Sequence, residues 1–389
     1  MKRNRKLKQI IIVCVSMLIW SFSINAQEIR KLTAVQWSPN NEAIAEAYSD
    51  GSVIVRTNVS NEVIWEIDAH LDGQTNISWA SDGVRFATAS AKDDRIKIWN
   101  LTTRQLVQEL QGSQITTYDL LPMLAWNPRV DVLLYTVPLF DGGFPLYLFV
   151  NENGVMTHIE REYPSATFDM EWSPNGNTLA HVTLYGLDVF NFTSFERFPN
   201  GRNLLVAIDD VTWNQDGTQF AASSNDGFVR VIDLQSEQVI SEYFNQTHEE
   251  APIIDLLWSK DDSLIYADTF DGEIHVLDAA SGQEVERLTI PREGGEFLIT
   301  QSPFGGRLLL ADGNSTVTTM VVLDPSLERF QTIAESCGAA SILEQPIGGV
   351  ITDAALSTVI AQLESATAAQ IPPACAADLI AIAEAIQSQ

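Results

Sequence analysis

An all-β chain folded as a seven-bladed β-propeller, followed by a small C-terminal α-helical hairpin, is the fold the sequence predicts, on three observations. Trp37, Trp79, Trp126, Trp172, Trp213 and Trp258 recur every 41 to 47 residues, each followed by a turn such as Trp172-Ser-Pro-Asn-Gly, and Gln301-Ser-Pro-Phe-Gly-Gly makes a seventh copy without the Trp. That spacing matches the period of about 40 to 45 residues for four-stranded blades. Each unit repeats the same order of short β-rich runs bounded by Gly, Asp, Asn and Ser. Beyond Ile333 the composition turns Ala-rich and the apolar residues fall at helical spacing.

Residues 1–26 read as a signal peptide. Lys2, Arg3, Arg5, Lys6 and Lys8 precede an apolar run from Ile10 to about Phe22, and Ile24-Asn25-Ala26 offers a small-residue cleavage site. The run is about 13 residues, well short of the roughly 20 that a spanning helix needs. The mature chain is therefore expected to begin near Gln27, to be soluble without a membrane span, and to be secreted or otherwise extracytoplasmic, in a periplasm or outside the cell. An uncleaved N-terminal anchor is the alternative.

The whole chain carries 23 Lys+Arg against 51 Asp+Glu, a formal charge of −28, and loss of the five leader bases takes this to about −33. A surface this acidic repels phosphate backbones and anionic headgroups, which argues against nucleic acid as a partner. Acidity also serves solubility, and it suits cationic ligands or basic partners. Cys337 and Cys375 are the cysteines that survive cleavage. An exported compartment permits a disulfide, and the two are expected to pair, closing a loop of about 37 residues worth roughly 3 to 4 kcal/mol. With no His after His275, a two-cysteine metal site is disfavoured.

The propeller is expected over residues 27–335. Its second unit shows the plan: Ile77 to Trp79, a turn, Arg85 to Ser90, a turn, Arg95 to Trp99, a turn, and Gln105 to Leu110. The units from Val211 and Leu256 repeat it, with Asn225-Asp226-Gly227 and Asp271-Gly272 as turns. In this second unit Ala69-His70, Trp79-Ala-Ser-Asp82-Gly83, Ala89-Ser90, Asp93 and Ile96-Lys-Ile-Trp99-Asn100 resemble the WD-repeat family, whose blades run Gly-His, Phe-Ser-Pro-Asp-Gly, Ser-x-Asp and Ile-x-Ile-Trp-Asp. The resemblance spans roughly residues 30 to 335. It implies a hydrogen-bonded set of His70, Ser90, Asp93 and Trp99 tying strands together, although one residue is inserted between Ser90 and Asp93. The sixth unit keeps His248, Thr269 and Asp271 but has Leu277 in place of the Trp.

Each small sheet has two apolar faces and needs neighbours to cover them, so the six repeated Trp residues read as core wedged between blades. For the seal of the ring, two sources of an outer strand are open: Leu327 to Ile333 of the last unit, or Glu28 to Lys31 from the N-terminus. Residues 336–389 are expected to form the hairpin. Asp353 is a plausible N-cap for a helix presenting Leu356, Val359, Ile360 and Leu363, and Pro372-Pro373 starts a second presenting Leu379, Ile382, Ala383 and Ile386.

Chemistry is sparse. No phosphate loop, His-Glu-x-x-His helix, Cys-x-x-Cys pair or Gly-x-Ser-x-Gly elbow occurs, and the five His are scattered. Acidic pairs such as Asp93-Asp94, Asp209-Asp210, Glu249-Glu250 and Asp261-Asp262 lack the alternating spacing of a calcium loop and read as turn residues. No cofactor or catalytic residue is assigned. The feature that stands out is Pro138-Leu-Phe140-Asp-Gly-Gly-Phe144-Pro145, longer than the matching turns elsewhere, on the face that also carries Asp209, Asp210, Glu249 and Glu250. An aromatic finger beside an acidic rim suits a protein or a basic peptide. The expectation is a non-catalytic protein- or peptide-binding scaffold, with an extracytoplasmic hydrolase or lyase using the central channel as the alternative.

Overall fold

The computed structural model describes residues 30–312 except 59, 72, 113–120, 138–143, 153, 164–166, 184–185, 193–207, 248, 250, 290–296, 304 and 306, and beyond them 319–322, 334, 353–366, 371 and 373–387. The expected leader, Phe140, Glu250, Cys337 and the strand expected at Leu327 to Ile333 lie outside the described residues. Lys31–Gln389 forms one compact unit.

Within it stand seven antiparallel sheets, five of four strands and two of three among the described residues, each built from consecutive strands. Their innermost strands are Leu32–Trp37, Thr75–Trp79, Met123–Trp126, Thr167–Trp172, Ile208–Trp213, Ile253–Trp258 and Phe297–Gln301. Each packs against the next, and the seventh packs against the first, so the ring is closed. Burial falls from the axis outward: all of Ala43–Tyr48 is buried, whereas Glu284–Thr289, outermost in blade 6, is largely exposed.

One turn, repeated seven times, joins the first two strands of every blade. The N–H one residue after the Trp donates to the carbonyl five residues further on, from Ser38 to Ala43 through Ser302 to Arg307, at 2.8 to 3.1 Å. The side chain at the same position accepts the returning N–H in five blades, Ser38, Ser173, Asn214, Ser259 and Ser302. This explains the recurring Trp-Ser-Pro-Asn-Gly: four residues past the Trp the backbone turns left-handed, at Asn41, Gly83, Gly176, Gly217, Asp262 and Gly305, a conformation Gly adopts without penalty and Asn or Asp tolerates.

The repeated Trp side chains are 2 to 6% exposed, and their indoles stitch neighbours together. Trp79, Trp172 and Trp213 donate Nε1–H to the carbonyls of Gln36, Ala125 and Glu171 in the preceding blade, at 3.2 to 3.3 Å. From the same inner strands Ser78 Oγ accepts the Trp126 N–H at 2.8 Å, and Thr212 Oγ1 accepts that of Trp258 at 3.4 Å.

Helices α1 (Asp353–Ser365) and α2 (Pro373–Gln387) pair through a buried cluster that includes Leu363, Leu379, Ile382 and Ala383. Cys375 is fully buried there. The hairpin meets the propeller at the seam between blades 7 and 1. Arg307, in the second strand of blade 7, pairs with Asp378 of α2, donates to Asn58 of blade 1 at 2.7 Å and lies over the Trp37 ring at 5.1 Å. Ser302 donates to the other Asp378 oxygen at 2.8 Å. On the N-terminal side, the Lys31 carbonyl accepts the Ser49 N–H, which extends the innermost strand of blade 1; Glu28 and Ile29 of the other expected outer strand lie outside the described residues.

Two variants test these seams. Asp378→Ala strips the buried Arg307 guanidinium of its carboxylate and is expected to lower the unfolding free energy by about 3–5 kcal/mol in urea denaturation. Gly51 has φ +83°, and a Cβ there would lie 2.4 Å from the His70 carbonyl oxygen; Gly51→Ala is expected to cost on the order of 2 kcal/mol or more by the same measurement.

Candidate functional site

The upper face of the ring carries the connections into the innermost strands and the turns between second and third strands. Blade 2 contributes His70, held there because its N–H donates to the Gly51 carbonyl at 3.0 Å. Its Nδ1 lies 3.1 Å from both Asp93 oxygens, its Nε2 2.8 Å from Thr88 Oγ1, and Trp99 Nε1 donates to that hydroxyl at 2.9 Å. The chain runs from indole to hydroxyl to imidazole to carboxylate, so the proton belongs on Nδ1. Burial opposes ionisation of Asp93, but hydrogen bonds from His70 and the Leu71 N–H hold its carboxyl below the usual range.

Thr88 thus fills the role expected of Ser90. Register decides it: Trp99 pairs with Phe86, so Thr88 is two residues along that strand and Ser90 four. At about 3.3 Å per residue an indole reaches the first and not the second. Ser90 Oγ instead accepts the Lys92 N–H at 3.3 Å. The set locks a blade and offers no reactive group to solvent.

Asp209 and Asp210, adjacent in sequence, part company. A register shift between Ile208 and Asp210 makes Asp209 the extra residue of a β-bulge, a device that re-aims side chains. Asp209 is exposed on the upper face, whereas Asp210 accepts the Leu256 N–H of the next blade at 2.5 Å. Asp169 and Asp255 occupy the equivalent place, three residues before the Trp, in blades 4 and 6, accepting from Val211 and Ile299 in blades 5 and 7. Asn76 does the same work in blade 2, donating to the Pro122 carbonyl at 2.8 Å. An Asp three residues before the Trp in three successive units is visible in the sequence, and it is the signal for this belt.

Crowding these acids has a price in ionisation. Burial, then the charges of Asp169 and Asp255, push Asp210 well above the usual carboxylate range, and its hydrogen bond to Asp169 makes it the proton holder. Burial likewise raises Asp169 and Glu171. Burial and then the Asp268 charge bring Asp255 to about 7. Among the described residues no group of three or more His, Cys, Asp or Glu is disposed to hold a metal ion.

Of the other expected rim residues, Glu249 is exposed on the upper face beside Asp209. Phe144 opens the third strand of blade 3, paired with Tyr163 at that end of the sheet. Leu71 and Phe270, 70% and 59% exposed, are apolar residues of this face that the sequence reading passed over. His275 belongs to a seam: its Nδ1 lies 2.9 Å from Tyr243 Oη of blade 5 and 3.2 Å from Glu284. Arg287, then His275 and Tyr243, hold Glu284 down at about 2 against the opposing effect of burial. Three asparagines are held in place by hydrogen bonds: Asn58 to Asn41 and Arg307, Asn76 to the Pro122 carbonyl, and Asn245 to the Ala251 carbonyl.

Comparison with known proteins agrees with this architecture. Residues 35–129 match the family model "Anaphase-promoting complex subunit 4 WD40 domain", and residues 203–233 match "WD domain, G-beta repeat". The chain is 28% identical over 89 residues to "Pre-rRNA-processing protein IPI3" of Mycosarcoma maydis, covering 23% of this chain and 15% of that protein. It is 32% identical over 82 residues to "Actin-interacting protein 1" of Drosophila melanogaster, covering 21% and 13%. The matched stretch thus spans about a seventh of the length of these relatives. Among solved structures, the β-propeller domain of Myceliophteria thermophila Cps50 (Swd1) superposes with a TM-score of 0.59 at 15% identity, over 72% of this chain and 93% of that one.

The buried acids make stability depend on pH. A carboxyl whose folded pKa is raised stabilises the fold below its unfolded value, about 3.8, and that contribution is lost as pH rises through the folded value, about 7 for Asp255. Unfolding free energy is therefore expected to fall between pH 4 and pH 7 to 8. Asp210→Asn, whose amide can donate as the protonated acid does while its oxygen still accepts from Leu256, is expected to flatten that slope and stabilise the protein at pH 8, measured by urea denaturation across pH.

Proposed function

Starting from the premise that this chain is a WD-repeat β-propeller protein, we propose that it is an exported, non-catalytic scaffold that binds a protein or peptide on its upper face. The observation that carries this reading is a division of labour among the polar groups. His70, Asp93, Asp210, Asp255, His275 and Glu284 are all engaged in bonds within or between blades, whereas Asp209, Glu249, Leu71 and Phe270 are presented to solvent from turns and a strand bulge fixed by the sheets beneath. Binding on such preformed turns carries little ordering cost.

The acidity of the chain favours a basic partner over nucleic acid. Among the described residues no helix is long and apolar enough to cross a membrane. The basic and apolar N-terminus supports export, and a Cys337–Cys375 disulfide, which an oxidising compartment would permit, would tether the hairpin that clasps the ring.

Two measurements test the reading. N-terminal sequencing of the protein recovered from its native host is expected to start near Gln27; an intact Met1 in a cytosolic fraction would overturn export. Cross-linking mass spectrometry on partners captured with the full mature chain is expected to place contacts on the upper face, weakened by Phe140→Ala with Phe144→Ala; contacts confined to the outermost strands would overturn the binding face.

A further inference from the structure

Between blades 5 and 6 the upper face opens into a cavity of about 650 Å3. Its walls come from both blades. Asp209, Ser224 and Asn225 line one side, and Glu249, Pro252 and Ile254 the other. Two of these residues sit there because of the same local irregularity in successive blades. Asp209 is the bulge residue of blade 5, and a register shift between Ile253 and Asp255 makes Ile254 the bulge residue of blade 6. Each bulge sends the following Asp into the inter-blade belt and turns its own residue to the face, so the cavity has one acidic and one apolar bulge residue across a blade boundary.

From this geometry we infer that the cavity receives a basic side chain, arginine or lysine, of a protein partner; the inference rests on the scaffold reading and specifies its ligand. Charge and shape both commit the site to that occupant. Asp209 and Glu249 take no hydrogen bond or ion pair among the described residues. Arg230 of blade 5 is already used: it pairs with Asp226 at 2.8 Å and lies over the Phe228 ring at 4.5 Å. Pro252 and Ile254 offer the apolar wall that the methylene stem of a long basic residue covers while its charged head reaches carboxylates. Exposed Phe270 stands at the rim, its N–H bonded to the Pro252 carbonyl at 3.0 Å, where it can take a residue flanking the basic one. Partial burial, then the charge of Asp226, hold the Asp209 carboxyl above its usual range, and a cation entering the cavity relieves that repulsion.

The test is a positional-scanning library of random peptides, selected on the full mature chain at two salt concentrations. Wild type is expected to enrich Arg or Lys at one position, more strongly at low salt. Asp209→Asn with Glu249→Gln is expected to reduce that enrichment at least tenfold with an unchanged melting temperature. Glu66→Gln with Glu286→Gln, which removes the same charge from exposed outermost strands, is expected to leave it intact. Equal loss in both double variants, or retention in the first, overturns the cavity in favour of diffuse attraction by the acidic surface. Peptides enriched without a basic position overturn the cavity and leave the scaffold standing; no peptide enriched, together with no partner captured, overturns both.

Discussion

Everything in this protein depends on the seam between one blade and the next. A four-stranded sheet with two apolar faces has no stable existence alone, and here each is covered by a neighbour through a repeated kit. The Trp at the end of the innermost strand packs into the preceding blade and in three cases donates to its backbone. Hydroxyls and carboxylates of the same strands satisfy backbone N–H groups across the boundary. Because the seventh inner strand meets the first, no sheet face is left uncovered at the ends of the series.

At the seam between blades 7 and 1 the Trp37 indole packs against blade 7 but donates no hydrogen bond across it among the described residues. The hairpin answers this locally. Asp378 on α2 meets Arg307, which reaches on to Asn58 and Trp37 of blade 1, so a helix outside the repeat clasps the closing joint. Burying that ion pair is tolerable because Ser302 and Asn58 complete its hydrogen bonds.

Acidic residues serve two ends that the composition alone merges. At the innermost strands they are structural, sharing protons because several desolvated carboxylates cannot all ionise together. On the upper face they remain exposed. The β-bulge performs the separation, splitting Asp209 from Asp210 by adding one residue to the inner strand.

The sequence by itself determined the architecture: the Trp period, the repeated turn and the change to helical spacing after Ile333 each express a local geometry that recurs, and recurrence is legible without coordinates. It also placed the indoles in the core and brought His70, Asp93 and Trp99 to one network. It did not separate Thr88 from Ser90, since both hydroxyls face the same side of one strand and only the pairing register with Trp99 selects between them. Nor did it separate Asp209 from Asp210, or assign the hairpin its clasp, because a bulge and a contact between residues 71 positions apart are products of strand pairing and ring closure. Those are long-range constraints, and the tertiary structure alone decided them.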